Sequence, residues 1–216
     1  MTFRVLFVCA ANICRSPTAA SIFAGQLPAN LTRAVTTLSA GTSAEPGKPW
    51  CKDARKWAKR HGLQSKDMLE HRSRRLTAAK VTRADLILAA DTDVKSAILR
   101  MDLGSRAQLF TLMEAAALAT GVQEEMAASR DGLPSRIGLQ LQPLPHRVGE
   151  PRLHWLVGEM DAARGLVVIG HGSRSRGVDL PDLHGGRARA THRATLKTLV
   201  GAVSSLTATM SSISDT

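Results

Sequence analysis

Close to the start of the chain the apolar run Val5-Leu6-Phe7-Val8 gives way at once to Cys9-Ala10-Ala11-Asn12-Ile13-Cys14-Arg15-Ser16-Pro17. Phe3 to Val8 is β-branched and aromatic, as a buried strand should be. Pro17-Thr18-Ala19-Ala20-Ser21-Ile22-Phe23 opens a helix with proline in its first turn. The order strand, loop, helix leaves the loop little freedom. It turns successive backbone N–H groups and a helix N-terminus toward one spot, which suits a tetrahedral dianion. Ala10, Ala11, Asn12, Ile13, Cys14, Arg15 and Ser16 are the phosphate-binding residues of this reading. Cys9 enters from the strand end, and Arg15 closes over the oxyanion with its planar fork. The same field favours thiolate over thiol at Cys9, making it a nucleophile. Ser16 is placed to donate a further hydrogen bond to that sulfur.

Downstream, Ala34 to Ala40 reads as a second strand, Trp50 to Arg60 as an amphipathic helix stopped by His61-Gly62, and Ala84 to Ala90 as a third strand. Asp91-Thr92-Asp93 can cap a helix over Val94 to Met101. Gln108 to Leu112 is a short fourth strand running into the alanine-rich segment Met113 to Thr120. Such alternation predicts an α/β fold, a doubly wound, four-stranded parallel sheet with helices on both faces. Ligands of these folds sit at the C-terminal strand ends, where Cys9, Ser39 and Asp91 all fall.

One domain over 1–210 accounts for the length, with an insertion at about 121–176 and a flexible tail at 211–216. Within the insertion, Arg130 to Pro151 reads as a loop, Arg152 to Met160 as a short helix, and Gly165 to Gly170 as a strand or buried turn. Gly170-His171-Gly172-Ser173 lacks the G-x-S-x-G nucleophile turn and reads as a loop. Asp179 to Gly186 is turn-rich and leads into a helix over Ala188 to Leu206.

Charge and cysteine usage narrow the function classes. Lys and Arg total 29 against 18 Asp and Glu, a formal charge of +11, but the basic residues are dispersed. With no tyrosine and four phenylalanines, the aromatic platforms of single-strand nucleic-acid binders are missing. A basic surface that steers phosphorylated partners is the expectation. No apolar run reaches the ~18 residues of a membrane span. Three cysteines, two of them in the loop, make no disulfide framework. The expected setting is the reducing cytoplasm, and nothing in the pattern fixes an oligomeric state. No metal-ligand spacing is visible, so no metal and no cofactor are expected, and activity should survive EDTA. Cys14 is spaced to form a protective disulfide with Cys9 after oxidation.

The string VCAANICRSPTAA at the end of an N-terminal strand resembles the signature loop of the low-molecular-weight protein tyrosine phosphatases, a family that also includes thiol-dependent arsenate reductases. Leu38-Ser39-Ala40-Gly41-Thr42 is similar to the family's S-A-G-T turn, and His71-Arg72-Ser73-Arg74-Arg75-Leu76 to its H-x-S-R-x-L segment. Leu86 to Asp91 resembles its third strand. The resemblance covers roughly residues 3–112 and 179–200 and implies a flavodoxin-like sheet. It implies Cys9, Arg15 and Asp182 as the catalytic set, with Asp182 the general acid and base; Asp179 is the competing candidate. It implies Asn12 in an unusual backbone conformation held by Ser39 and His71, with Asp91 as a further supporting residue. The implied substrates are phosphotyrosine proteins or small phosphomonoesters, with inorganic phosphate, vanadate and arsenate as ligands. An arsenate reductase using an external low-molecular-weight thiol, and a phosphate-binding module with a decayed acid loop, are the alternatives. The chain departs from the family pattern at Ala10 and Ala11 in the loop, at Leu183 and His184 beside Asp182, and at Glu45, where the pocket wall normally carries an aromatic.

Overall fold

Alternate side chains of the first strand point into two different cores, and this sets the layering of the molecule. In the computed structural model, which describes residues 2–60, 70–101, 103–169, 179–181 and 188–215, strand β1 (Phe3–Cys9) lies inside a four-stranded sheet. Its neighbours are β2 (Val35–Gly41) and β3 (Leu86–Ala89), with β4 (Leu109–Thr111) beyond, in the order β2-β1-β3-β4 and all parallel. Phe3, Val5 and Phe7 face one hydrophobic core together with Leu86, Leu88 and Phe110. Leu6 and Val8 face the other with Ile87, Ala89 and Leu109. A strand buried on both faces reads as a continuous apolar run for this reason. The doubly wound architecture expected from the sequence is present.

The larger core is covered by α1 (Arg15–Gln26), α6 (Leu112–Arg130), α7 (Glu150–Ala162) and α8 (Ala188–Asp215). The smaller is covered by α4 (Ala78–Thr82) and α5 (Thr92–Met101). A one-turn helix α2 (Ala29–Thr32) leads into β2, α3 (Lys52–Arg60) lies near the loop after β1, and a 3₁₀ turn (Leu103–Gln108) precedes β4. The alanine-rich run after β4 begins at a capping box: Thr111 Oγ1 accepts from Glu114 N, and Glu114 Oε2 accepts from Thr111 N. Among the described residues no helix is long and apolar enough to cross a membrane.

Residues 131–149 form an irregular span held by two buried carboxyl groups. Glu125 accepts from the backbone N–H of Arg136 and Ile137, and Glu159 accepts from Gln142 N. The hydrogen bond from Ser135 leads these contacts in holding Glu125 below the usual carboxylate range, whereas burial pushes Glu159 up. Residues 163–169 turn without adding a strand. His171 and its neighbours lie outside the described residues.

The C-terminal helix differs from the sequence expectation. It runs to Asp215 rather than loosening after residue 210, and Met210 and Ile213 are each 1% exposed in the larger core. The Ser- and Thr-rich composition that suggests a flexible tail is accommodated inside the helix. Thr207 Oγ1 donates to the Val203 carbonyl and Ser211 Oγ to that of Thr207, so each hydroxyl finds a partner one turn back. Arg152 Nη1 reaches the Ile213 carbonyl. Ile213→Ala is therefore expected to destabilise the chain by about 2 kcal/mol or more, measured by urea unfolding. A flexible tail would leave the midpoint unchanged.

Candidate active site

The loop between β1 and α1 turns on Asn12, whose φ of 53° is the one positive value at a non-glycine among the described residues. Asparagine tolerates this region better than most side chains, and here its hydrogen bonds fix it. Asn12 Nδ2 donates to Ser16 Oγ at 2.9 Å and to Ser39 Oγ at 3.0 Å. Asn12 Oδ1 accepts from Arg74 N at 2.8 Å, and His71 Nε2 donates to the Asn12 carbonyl at 2.8 Å. Ser39 arrives from β2, Arg74 and His71 from the segment before α4. The expected grouping of Asn12, Ser39 and His71 is present, and Arg74 joins it through a backbone N–H that no residue pattern reveals.

The inverted residue aims its own N–H at Cys9 Sγ, 3.2 Å away, and the Ser16 hydroxyl lies 3.1 Å from the same sulfur. Cys9 and Ser16 are both 2% exposed. Ala10, Ala11 and Ile13 form the half-buried rim of the loop, and Cys14 is the residue preceding the first turn of α1. Arg15, 4% exposed, pairs through Nη1 with Asp91 Oδ2 at 2.5 Å and donates to the Leu180 carbonyl at 2.9 Å. Asp91 Oδ1 accepts from Val94 N and so caps α5. Both strand-end residues expected at the site, Ser39 and Asp91, thus touch the loop.

Gly41 is where β2 passes beneath the loop. A Cβ there would meet Ala10 O at 2.4 Å and Asn12 N at 2.7 Å, both backbone atoms. The loop is also tied down by Thr42 N to Cys9 O at 3.0 Å and Ser43 N to Ala10 O at 2.9 Å. The glycine of the Ser39-Ala40-Gly41-Thr42 turn is thus required by close backbone approach.

Of the two acid candidates, Asp179 lies among the described residues. Asp179 accepts from Thr92 N at 2.7 Å and Thr92 Oγ1 at 3.1 Å, so its carboxylate is engaged at the start of α5. Leu180 N donates to Ala90 O, which fixes the chain beside Arg15 two residues before Asp182. Asp182, Leu183 and His184 lie outside the described residues. The Glu45 side chain is 77% exposed and pairs with Lys48 at 3.1 Å, while its carbonyl accepts from the Ser73 hydroxyl.

A second constellation was not visible in the residue pattern. Cys14, Cys51 and His192 bring their ligand-capable atoms within 4.8 Å of one another. Cys51 Sγ lies 3.7 Å from His192 Nε2. The Cys14 thiol donates to Cys51, which pushes Cys14 up and pulls Cys51 down. The three residues stand far apart in sequence, so no spacing rule finds them.

Cys9 Sγ, the backbone N–H of Asn12, the Ser16 hydroxyl in the first turn of α1 and the buried Arg15 thus lie in one loop at the C-terminal edge of a parallel sheet. The family comparison is specific: the low molecular weight phosphotyrosine protein phosphatase family model matches residues 4–131, and the chain belongs to this family of hydrolases. It is 34% identical over 131 residues to a probable low molecular weight protein-tyrosine-phosphatase, EpsP, of Ralstonia nicotianae, covering 60% of this chain and 85% of that one. It is 32% identical over 115 residues to a protein-arginine-phosphatase of Geobacillus stearothermophilus, covering 53% and 72%. The structure of the Erwinia amylovora tyrosine phosphatase amsI shares the fold, with a TM-score of 0.57 at 20% identity over 95% of this chain and 91% of that one.

Two measurements probe the loop supports. Gly41→Ala should lower stability by about 1–3 kcal/mol and weaken vanadate binding; wild-type affinity would contradict the close approach. His71 is held below the ordinary histidine value of 6.5, first by burial, with the Asn12 carbonyl pulling the other way and Arg74 and Arg72 adding to the decrease. The unfolded chain then takes up this proton first as the pH falls. The stability tied to neutral His71 is complete above pH 6.5 and is lost as the pH drops from there through the folded value. His71→Gln should flatten that slope in denaturation series run on either side of 6.5.

Proposed function

We propose that the chain is a cysteine-dependent phosphomonoesterase that acts on phosphotyrosine in proteins through a phosphocysteine intermediate. The observation that carries this reading is the setting of Cys9 Sγ, within hydrogen-bonding reach of Asn12 N and of Ser16 Oγ in the first turn of α1, in the loop that also carries the buried Arg15. Family membership supports it. Cys9 Sγ attacks phosphorus in line as the bond to the leaving oxygen breaks. Asp182 delivers a proton to that oxygen. Water then attacks the phosphocysteine, giving its proton to Asp182, and thiolate and inorganic phosphate are released. Arg15 and the loop N–H groups offset charge on the equatorial oxygens, and the Ser16 hydroxyl eases departure of the sulfur.

Asp182 is favoured over Asp179 because the Asp179 carboxylate already accepts from Thr92 N and Oγ1. The relative named as a protein-arginine-phosphatase makes phosphoarginine the second substrate class. Reduction of arsenate by an external thiol would use the same loop.

Turnover of p-nitrophenyl phosphate, phosphotyrosine peptide, phosphoserine peptide, phosphoarginine peptide and arsenate plus thiol, each compared with Cys9→Ser and Asp182→Ala, tests the reading. Cys9→Ser should abolish turnover. Asp182→Ala should slow the phosphotyrosine peptide by about 10²–10⁴-fold, and p-nitrophenyl phosphate by less because its leaving group needs the proton less. Turnover surviving Cys9→Ser would sink the mechanism. Phosphate or vanadate binding without hydrolysis would reassign the chain as a binding module, and preference for phosphoarginine or arsenate would reassign the substrate.

A further inference from the structure

Behind the phosphate loop, on the side of α3 and α8, lies a small apolar cluster of Cys14, Trp50, Ala54, Ala58 and Leu196, with Cys51 and Trp57 packed against it. Cys14 is 3% and His192 5% exposed, while Cys51 is half-buried. We propose that Cys14, Cys51 and His192 form a binding site for a single zinc-class divalent cation.

The geometry is the main argument. Ligand-capable atoms of the three residues lie within 4.8 Å of one another, and Cys51 Sγ and His192 Nε2 are 3.7 Å apart. Around a tetrahedral zinc, a sulfur at about 2.3 Å and a nitrogen at about 2.0 Å from the ion are about 3.5 Å from each other. The pair therefore stands near coordination distance already. The donor chemistry points the same way. Two sulfurs and an imidazole suit zinc, and they do not suit magnesium or calcium, which take oxygen ligands. Bound as thiolates, with their protons released to solvent, the two cysteines neutralise a dication. The complex then adds no net charge to the apolar surroundings of Trp50, Ala54, Ala58 and Leu196. The half-buried Cys51 marks the open side, where a water completes the tetrahedron.

The site joins remote parts of the chain. Cys14 belongs to the phosphate loop, Cys51 precedes α3 and donates its N–H to Ile13 O at 2.9 Å, and His192 sits near the start of α8. An ion there fastens the starts of both helices to the back of the loop. Cys9 stays out of the coordination sphere, since its sulfur has Asn12 N and Ser16 Oγ as partners on its own side.

Cobalt reports the site directly. The reduced, metal-stripped full chain is titrated anaerobically with Co²⁺, and Zn²⁺ is then added. One equivalent should give the intense visible bands of tetrahedral cobalt with a near-ultraviolet sulfur-to-metal charge-transfer band, and one equivalent of Zn²⁺ should bleach both. Cys51→Ser and His192→Ala should each weaken affinity at least tenfold, and Cys51→Ser should also diminish the charge-transfer band. Cys9→Ser should keep the complete spectrum. Circular dichroism of each variant without metal establishes that it is folded, and if one substitution prevents folding the other carries the comparison. Absence of a tetrahedral spectrum, its persistence at full affinity in a folded Cys51→Ser or His192→Ala variant, or its loss in Cys9→Ser would each overturn the assignment.

Discussion

The left-handed turn at Asn12 is the constraint on which the rest of the site depends. Were Asn12 in an ordinary helical or extended conformation, its N–H would no longer aim at Cys9 Sγ and the loop could not close over one point. Holding a non-glycine at φ 53° costs roughly 1–3 kcal/mol at functional sites in general, with asparagine at the low end. Net hydrogen bonds contribute about 1 kcal/mol each, and Asn12 has them from its side-chain amide, its side-chain oxygen and its carbonyl. Their combined effect exceeds the strain. Because the partners come from α1, β2 and the segment before α4, the conformation exists only in the folded chain. A loop geometry built in this way is coupled to global folding, not to local preference.

Arg15 imposes a second coupling. Its guanidinium is almost fully buried, and a buried charge is tolerated only when paired. Asp91 supplies the countercharge from the end of β3, and the Leu180 carbonyl supplies a neutral acceptor from the approach to Asp182. Asp91 is itself committed, since its other oxygen caps α5. The Arg15 guanidinium is thus oriented by the sheet edge and by the segment before Asp182 together. Removing Asp91 would take a close countercharge from the buried Arg15, so the pair is held together by the cost of separating it more than by its net stabilisation.

What could be read from residues alone follows the range of the interactions involved. β1, its loop and the proline-led α1 are contiguous, and their signals are local: an unbroken apolar run, a glycine-poor turn with one asparagine, proline in the first turn. Ser39 and Asp91 were reachable because parallel strands all end at one edge. The extent of α8 was not reachable, since Ser and Thr weaken a helical pattern and only tertiary burial of Met210 and Ile213 overrides that tendency. The Cys14, Cys51 and His192 cluster was hidden for a different reason. Its members are brought together by packing of α3 and α8 against the loop, and neither contact leaves a periodic trace. Arg74 contributes a backbone N–H, which any residue but proline carries.

The same distinction explains why the family likeness stops at residue 131 although the chain beyond it helps to build the site. Leu180 offers Arg15 a carbonyl and offers the larger core a side chain 1% exposed. The first role is independent of residue type and the second asks only for an apolar side chain of suitable volume. Leu196 and Leu199 of α8 meet the same loose requirement. A segment whose tasks are set by backbone position and hydrophobicity can drift in sequence while the geometry persists. Cys9, Asn12, Arg15 and Gly41 have no such freedom: a buried thiol facing a backbone N–H, a left-handed turn, a buried paired guanidinium and an absent Cβ each admit very few residues. The family match over residues 4–131 therefore falls where the loop geometry rests on side-chain identity, whereas the chain beyond it supports the same loop through its path.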